Sequence, residues 1–219
     1  MVLLLFGPPG CGKGTQAERI AETFNLPAIS TGDLLRAEVA AGTDLGVEVK
    51  SILASGGLVS DKLVTKILLR RLKTADCRDG YLLDGYPRTL DQAETLDRFF
   101  RKQGISPISI HLDVPEGAIT KRITARRQCP KCKHIYNLIS QPPMAADSCD
   151  FDGTALLCRA DDQEDVVRAR LQTYHELTGP AIDFFSRQTY HRIDGQRPPV
   201  DVFHEIEEVL QASGVVHAA

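Results

Sequence analysis

The sequence predicts an α/β fold: a five-stranded parallel sheet flanked by helices on both faces, with two inserted mobile subdomains. Three observations predict it. Short apolar runs alternate with helix-period segments along most of the chain, the pattern of a parallel sheet covered on both sides. A glycine-rich turn joins the first apolar run directly to a helical segment. Two stretches, Ser30–Ser60 and Gln128–Arg159, interrupt the alternation and read as insertions at strand ends, where such sheets place ligands. A chain of 219 residues can bury a core as one domain with insertions.

Val2–Phe6 is uniformly apolar and reads as a buried strand, followed after Lys13 by a helix. Pro27–Ile29 is a shorter strand, and Ser30–Ser60 reads as small helices ending in Ser55-Gly56-Gly57. Then come a helix over Asp61–Lys73, a strand over Gly80–Leu83, a helix over Leu90–Gln103 and a strand over Ile108–Val114. A helix over Pro115–Arg126 leads into the Cys- and Pro-containing insertion, which lacks helical periodicity. A helix over Asp161–Glu176, broken or bent by Gly179-Pro180, a strand over Thr189–Ile193 and a helix over Val200–Leu210 complete the order. Several helices open on an Asp or a Ser/Thr cap. The core is expected to comprise 1–29, 61–121 and 160–219, the insertions 30–60 and 122–159, and disorder only Gly214–Ala219.

Net charge is −3, so no global basic field draws the chain to nucleic acid, and basic and aromatic residues do not interleave across 128–158. No apolar stretch is long enough to span a bilayer and no basic leader precedes Val2, which sets the expectation of an untargeted cytoplasmic protein without a membrane partner. Any anion site must be local. Seventeen of the 26 basic residues are arginine, the side chain suited to bidentate phosphate contacts.

The first turn fits such a site. Unpaired backbone N–H groups at a strand-to-helix turn, backed by the helix dipole, form an anion cradle. Gly7-x4-Gly12-Lys13 is the phosphate-loop spacing, with Lys13 placed to reach the outer phosphates, so the fold is expected to be P-loop NTPase-like. Gly14 follows the lysine where a hydroxyl is common, and the hydroxyl falls one place later at Thr15. Asp84 sits at the carboxyl end of a strand, where a carboxylate can hold water around magnesium. Arg122 and Arg126, four apart on a predicted helix, share a face and repel unless an anion lies between them. Asp161 and Asp162 are expected to cap a helix and orient arginines.

Three of the six cysteines fall between 129 and 149, which favours a metal over disulfides. Cys129-x2-Cys132, sixteen residues, then Cys149-Asp-Phe-Asp152 has the spacing of two facing knuckles, and three thiolates with one carboxylate make a closed tetrahedral site. His134, Asp150 and Cys158 stand as alternatives to Asp152. The donors favour zinc, and cobalt or ferrous iron would tolerate them. Cys11 and Cys77 read as small fillers.

GPPGCGKGTQ at 7–16, STGDLLR at 30–36, GLVSD at 57–61, DGYPRT at 84–89 and RADDQEDVVRARL at 159–171 together resemble an adenylate kinase of the long-lid type with a metal-binding lid. The resemblance implies reversible, Mg2+-dependent in-line transfer, ATP plus AMP to two ADP, by a monomer. GTP-using or UMP/CMP-directed kinases of the same fold are the nearest alternative. It implies ATP contacts from Gly10, Cys11, Gly12, Lys13, Gly14, Thr15, Arg122, Arg126, Tyr136 and Arg197. AMP would be held by Thr31, Arg36, Leu58, Val59, Gly85, Arg88, Gln92, Arg159 and Arg170, with Lys13, Arg88, Arg126, Arg159 and Arg170 carrying the transfer. Asp84 would hold Mg2+ through water, and a structural zinc would sit on Cys129, Cys132, Cys149 and Asp152. Where relatives often carry an aromatic before the paired prolines, this chain reads Leu138-Ile139-Ser140-Gln141. A nucleotide-dependent switch without an acceptor would have no use for Arg36 and Arg88.

Overall fold

A computed structural model describes residues 1–55 and 57–214, so Gly56 of the Ser55-Gly56-Gly57 stretch and residues 215–219 of the expected disordered tail lie outside it. Strand β1 (Val2–Phe6) leads into α1 (Lys13–Phe24), then β2 (Ala28–Ser30), α2 (Thr31–Ala40), α3 (Asp44–Ala54), α4 (Asp61–Arg71) and β3 (Tyr81–Asp84). Next come α5 (Leu90–Gln103), β4 (Ile108–Asp113), α6 (Glu116–Thr124), and the short strands β5 (Arg126–Gln128) and β6 (Ile135–Asn137). After α7 (Glu164–Thr173) and α8 (Gly179–Phe185), β7 (Tyr190–Asp194) and α9 (Pro199–Ala212) close the order.

The five-stranded sheet runs β2-β3-β1-β4-β7 with every pairing parallel. Successive β1 side chains point to opposite faces, and both faces are buried. Leu4 and Phe6 join Ile29, Leu83, Phe100 and Phe185 on one side, with α4, α5 and α8. Leu3 and Leu5 join Leu82, Ile110, Ile193, Ile20 and Ile206 on the other, with α1 and α9. This double burial is why the strand is continuously apolar. The alternation carries all five strand ends that matter to one edge, with Gly7, Asp84 and Asp113 beside each other.

Residues 31–54 form α2 and α3, each opened by a hydroxyl: Ser30 Oγ accepts from the Asp33 N–H at 3.3 Å and Thr43 Oγ1 from the Gly46 N–H at 3.0 Å. Residues 126–157 form an antiparallel β5/β6 ribbon extended by bridges at Gln128–Leu157 and Ser148–Ala155.

Three predicted elements change shape. The helix expected over Pro115–Arg126 ends at Thr124, so Arg126 opens β5 and does not share a helix face with Arg122. The ribbon takes the last helical carbonyls: Asn137 Nδ2 donates to Arg122 O at 2.9 Å and Leu138 N–H to Ala125 O at 2.9 Å. The helix expected from Asp161 begins at Glu164, after a 3-10 turn over Ala160–Asp162, and Gln163 precedes it with no side-chain cap. Asp161 and Asp162 therefore do not cap it. At Gly179-Pro180 the chain does not stop: a single π turn, Tyr174–Thr178, passes into α8, with Pro180 in the first turn of α8, where no intrahelical N–H bond is required of it.

Candidate active site and metal centre

The loop from Gly7 to Gly12 is held open by backbone conformations that side chains resist. Gly7 has φ +144°, with Leu112 O only 2.7 Å from where a Cβ would sit, and Gly10 has φ +77° with Ile123 against it. Gly12 precedes α1 without any side-chain cap, so the first-turn N–H groups face the loop interior. Lys13 Nζ donates to Gly7 O at 2.7 Å and Pro8 O at 2.9 Å, which curls its ammonium over the same interior.

One cavity of about 750 Å3 adjoins this loop. Gly10, Cys11, Gly12, Gly14, Thr15 and Asp84 line it, as do Lys13, Arg36, Arg88, Arg122, Arg126, Arg159, Arg170 and Arg197. Arginines from residues 36 to 197 thus converge on one space, a result that separate surface patches would have excluded. A smaller adjoining pocket is lined by Thr31, Leu58, Val59, Gly85, Arg88 and Gln92. Tyr136 borders the large cavity, yet its hydroxyl is spent inside the ribbon.

Each arginine is parked on a protein acceptor. Asp162, whose side chain is fully buried, holds Arg126 through both carboxylate oxygens, with the Nε contact at 2.8 Å. Asp161 holds Arg170 at 2.8 Å and Asp33 holds Arg36 at 2.6 Å. Arg159 donates to Gln128 Oε1 at 2.8 Å, Arg122 to Gly195 O at 2.8 Å, and Arg197 pairs with Glu205. Arg88 Nε donates to a neutral acceptor, Gly85 O, at 2.8 Å. Asp161 and Asp162 thus orient arginines.

The electrostatics record the crowding. Burial, then neighbouring cations, bring Arg159 down to about 10; burial brings Arg170 to about 10 although Asp161 opposes it. Burial also lowers Arg88, whereas at Arg126 the bonds to Asp162 outweigh burial and raise it. Crowded cations that depress one another would be relieved by a polyanion.

The ribbon gathers a second group. Cys129 Sγ, Cys132 Sγ, Cys149 Sγ and a carboxylate oxygen of Asp152 lie within 4.8 Å of one another, a spread that one tetrahedral ion with thiolate and carboxylate bonds of 2.0–2.3 Å would fit. Hydrogen bonding from Thr154 holds the Asp152 carboxyl down to about 2, ready to ligate. Burial raises the Cys149 thiol, and the Tyr136 hydroxyl and two backbone N–H groups more than reverse it. The alternatives His134, Asp150 and Cys158 do not fall in this cluster. Asp150 accepts from Met144 N–H at 2.8 Å, Cys158 contacts Arg159 O at 3.6 Å, and His134 packs on Tyr136 and Phe151 with centroids 4.7 and 4.8 Å away.

A family model described as adenylate kinase matches residues 5–190. The chain belongs to the adenylate kinase family. It is 43% identical over 213 residues to the adenylate kinase of Pseudothermotoga lettingae, covering 96% of this chain and 98% of that protein. It is 45% identical to the Trichlorobacter lovleyi enzyme and 44% to that of Archaeoglobus fulgidus, each over 214 residues, 96% of this chain and 99% and 98% of theirs. The family supplies the reaction, nucleoside monophosphate kinase chemistry converting ATP and AMP to two ADP, with Mg2+ accompanying ATP. No described helix is long and apolar enough to cross a membrane.

Residues that the sequence did not point to also border this adenylate kinase cavity: Thr173 at the end of α7, and Tyr174 and Thr178 in the π turn. Behind them His111 bonds Tyr190 Oη at 2.6 Å through Nδ1 and Tyr174 Oη at 3.1 Å through Nε2. Burial lowers the His111 pKa, so the folded chain keeps the ring neutral below the ordinary value near 6.5, where the unfolded chain takes up a proton. This ring's contribution to stability is present above that value and is lost as pH falls through it toward the folded pKa. Thermal unfolding followed from pH 7 to pH 5 is expected to decline less steeply in His111→Gln than in the parent, and equal slopes would refute it.

Proposed function

We propose that this adenylate kinase transfers the γ-phosphoryl of ATP, held over Gly10–Thr15 with Arg122, Arg126, Tyr136 and Arg197, to AMP held by Thr31, Arg36, Leu58, Val59, Gly85, Arg88 and Gln92, with Arg159 and Arg170 between them. The observation that carries it is the convergence of Lys13 and seven arginines on one cavity. An AMP phosphate oxygen is already ionised, so no base is required; alignment and charge neutralisation supply the rate. Lys13 Nζ moves from the Gly7 and Pro8 carbonyls to the phosphates, and the arginines exchange protein acceptors for phosphate oxygens. Asp84 would hold magnesium through water, and the ion bound with ATP would supply neutralisation of phosphate charge. Segments 30–60 and 122–159 close as mobile units and exclude water, which would otherwise hydrolyse ATP.

We assign Cys129, Cys132, Cys149 and Asp152 to a structural zinc, which thiolate softness favours over cobalt or ferrous iron. The ribbon's own core is only Cys129, Tyr136, Cys149 and Leu156, too little to hold it without cross-linking. The enzyme acts as a cytoplasmic monomer; six unpaired cysteines suit a reducing compartment.

A coupled assay over ATP and GTP as donors and AMP, UMP, CMP and GMP as acceptors tests the reading. ADP formed only when ATP and AMP are both present is expected; nucleotide consumption without an acceptor, or preference for UMP or CMP, overturns it. The same preparation is expected to carry about one zinc per chain, and stripping it should lower the unfolding midpoint by at least about 5 °C. A metal-free preparation with an unchanged midpoint refutes the metal assignment alone.

A further inference from the structure

The Gln92 side-chain amide is wired so that it can point only one way. Its Oε1 accepts the Arg88 backbone N–H at 2.8 Å, and its Nε2 donates to Asp61 Oδ1 at 2.7 Å. Neither partner can exchange roles, since a backbone N–H only donates and an ionised carboxylate only accepts. Asp61 is itself fixed. It opens α4, and its Oδ2 accepts from Thr89 Oγ1 at 2.6 Å, while the same hydroxyl caps α5 by accepting the Gln92 N–H at 3.2 Å. Thr178 Oγ1 donates to Arg88 O at 3.1 Å, so the Arg88 backbone is held at its C=O as well as at its N–H. Gln92 is 3% exposed and lines the smaller pocket. An amide offers two N–H groups and two lone pairs. With one of each committed, one of each remains for a ligand, in an order that cannot be reversed.

We propose that Asp61 is the specificity-positioning residue of the acceptor pocket: it holds the Gln92 amide against rotation, so the pocket accepts a 6-aminopurine and rejects a 6-oxopurine. This rests on the AMP-binding role proposed above for Gln92, and places its side-chain amide against the base. A 6-aminopurine presents an N–H donor beside a ring-nitrogen acceptor, matching a fixed C=O and N–H. In a 6-oxopurine the C6 group is an acceptor and N1 carries a hydrogen. Pairing with it would need the amide turned over, which sets Gln92 Oε1 against the Asp61 carboxylate and Nε2–H against the Arg88 N–H. The pocket therefore discriminates by a built-in repulsion as well as by attraction.

The unmodified enzyme supplies the first test, with AMP, purine riboside monophosphate and inosine monophosphate as acceptors. Purine riboside lacks the C6 substituent and merely forfeits a bond, whereas inosine meets the repulsion. A kcat/KM for inosine monophosphate about 10-fold below that for purine riboside monophosphate is expected. An amide free to turn would make inosine monophosphate equal or better, and that order overturns the proposal. In Asp61→Asn the substituted amide can donate to a turned Gln92, which removes the Asp61 half of the repulsion while the Arg88 N–H remains, so the AMP-to-inosine monophosphate ratio of kcat/KM should fall about 10-fold, with the inosine value rising in absolute terms. A damaged fold would lower both. In Gln92→Ala the ratio should collapse, and adding Asp61→Asn should change it no further. An intact ratio in Gln92→Ala refutes the placement of that amide against the base. A ratio that collapses there but survives in Asp61→Asn refutes the lock alone. Should Asp61→Asn fail to fold, the ranking of the three acceptors by the unmodified enzyme decides.

Discussion

Replacing Arg88 with methionine is expected to lower kcat/KM for AMP by at least about 100-fold while leaving the unfolding midpoint of the ligand-free enzyme unchanged or raised. The loss follows from removing a charged fork in a desolvated pocket, where each hydrogen bond to a phosphate contributes about 1.5–3 kcal/mol. The stability outcome follows from what Arg88 touches. Its Nε donates to the Gly85 carbonyl, not to a carboxylate, and burial lowers its pKa. A desolvated cation without a direct counter-ion is a cost the fold carries for function, and an unbranched apolar side chain of similar reach relieves it. Steady-state kinetics and thermal unfolding on one preparation check both halves. A midpoint more than a few degrees lower would show that Arg88 braces the fold instead.

Asp162→Ala is expected to have the opposite balance, losing about 3–5 kcal/mol of stability. Asp162 is 2% exposed and takes both Arg126 contacts, with Arg170 Nη1 3.7 Å from the same carboxylate. Deleting it leaves the buried Arg126 guanidinium beside Arg159 and Arg170 without its hydrogen-bonded partner, and Asp161, which stays on Arg170, is the remaining carboxylate that acts most strongly on it. An added polyanion should replace the missing charge. Tripolyphosphate is therefore expected to raise the midpoint more in the variant than in the parent, since ligand stabilisation grows with differential affinity for the folded state. Equal rescue in both proteins, or a loss below about 1 kcal/mol, would mean that Arg126 finds another partner.

These two residues also mark where sequence reasoning stops. Arg88 was legible because it follows a strand and sits in a motif. Asp162 was legible as a group that orients arginines, but which arginine it holds was not, because its partner Arg126 lies 36 positions earlier and on a different element. The phosphate loop is local: glycine conformations, an uncapped helix start and one lysine are set within nine residues, and so were readable. The placement of Arg126 was misread because helical periodicity through residue 124 gives no hint that a ribbon will take the helix's final carbonyls. Asp61 read as a helix opening, and nothing local connects it to Gln92 across 31 positions.

The sequence by itself determined the five strands, the glycine-rich turn into α1, the cysteine knuckles and the set of arginines, because each rests on backbone preference or side-chain chemistry within a few residues. Only the tertiary structure decided which carboxylate holds which guanidinium, which way the Gln92 amide faces and that the π turn brings Tyr174 and Thr178 to the cavity. Those are long-range pairings, chosen by desolvation: once the sheet edge and the insertions enclose the cations, each buried polar group must take whichever partner the fold brings within reach.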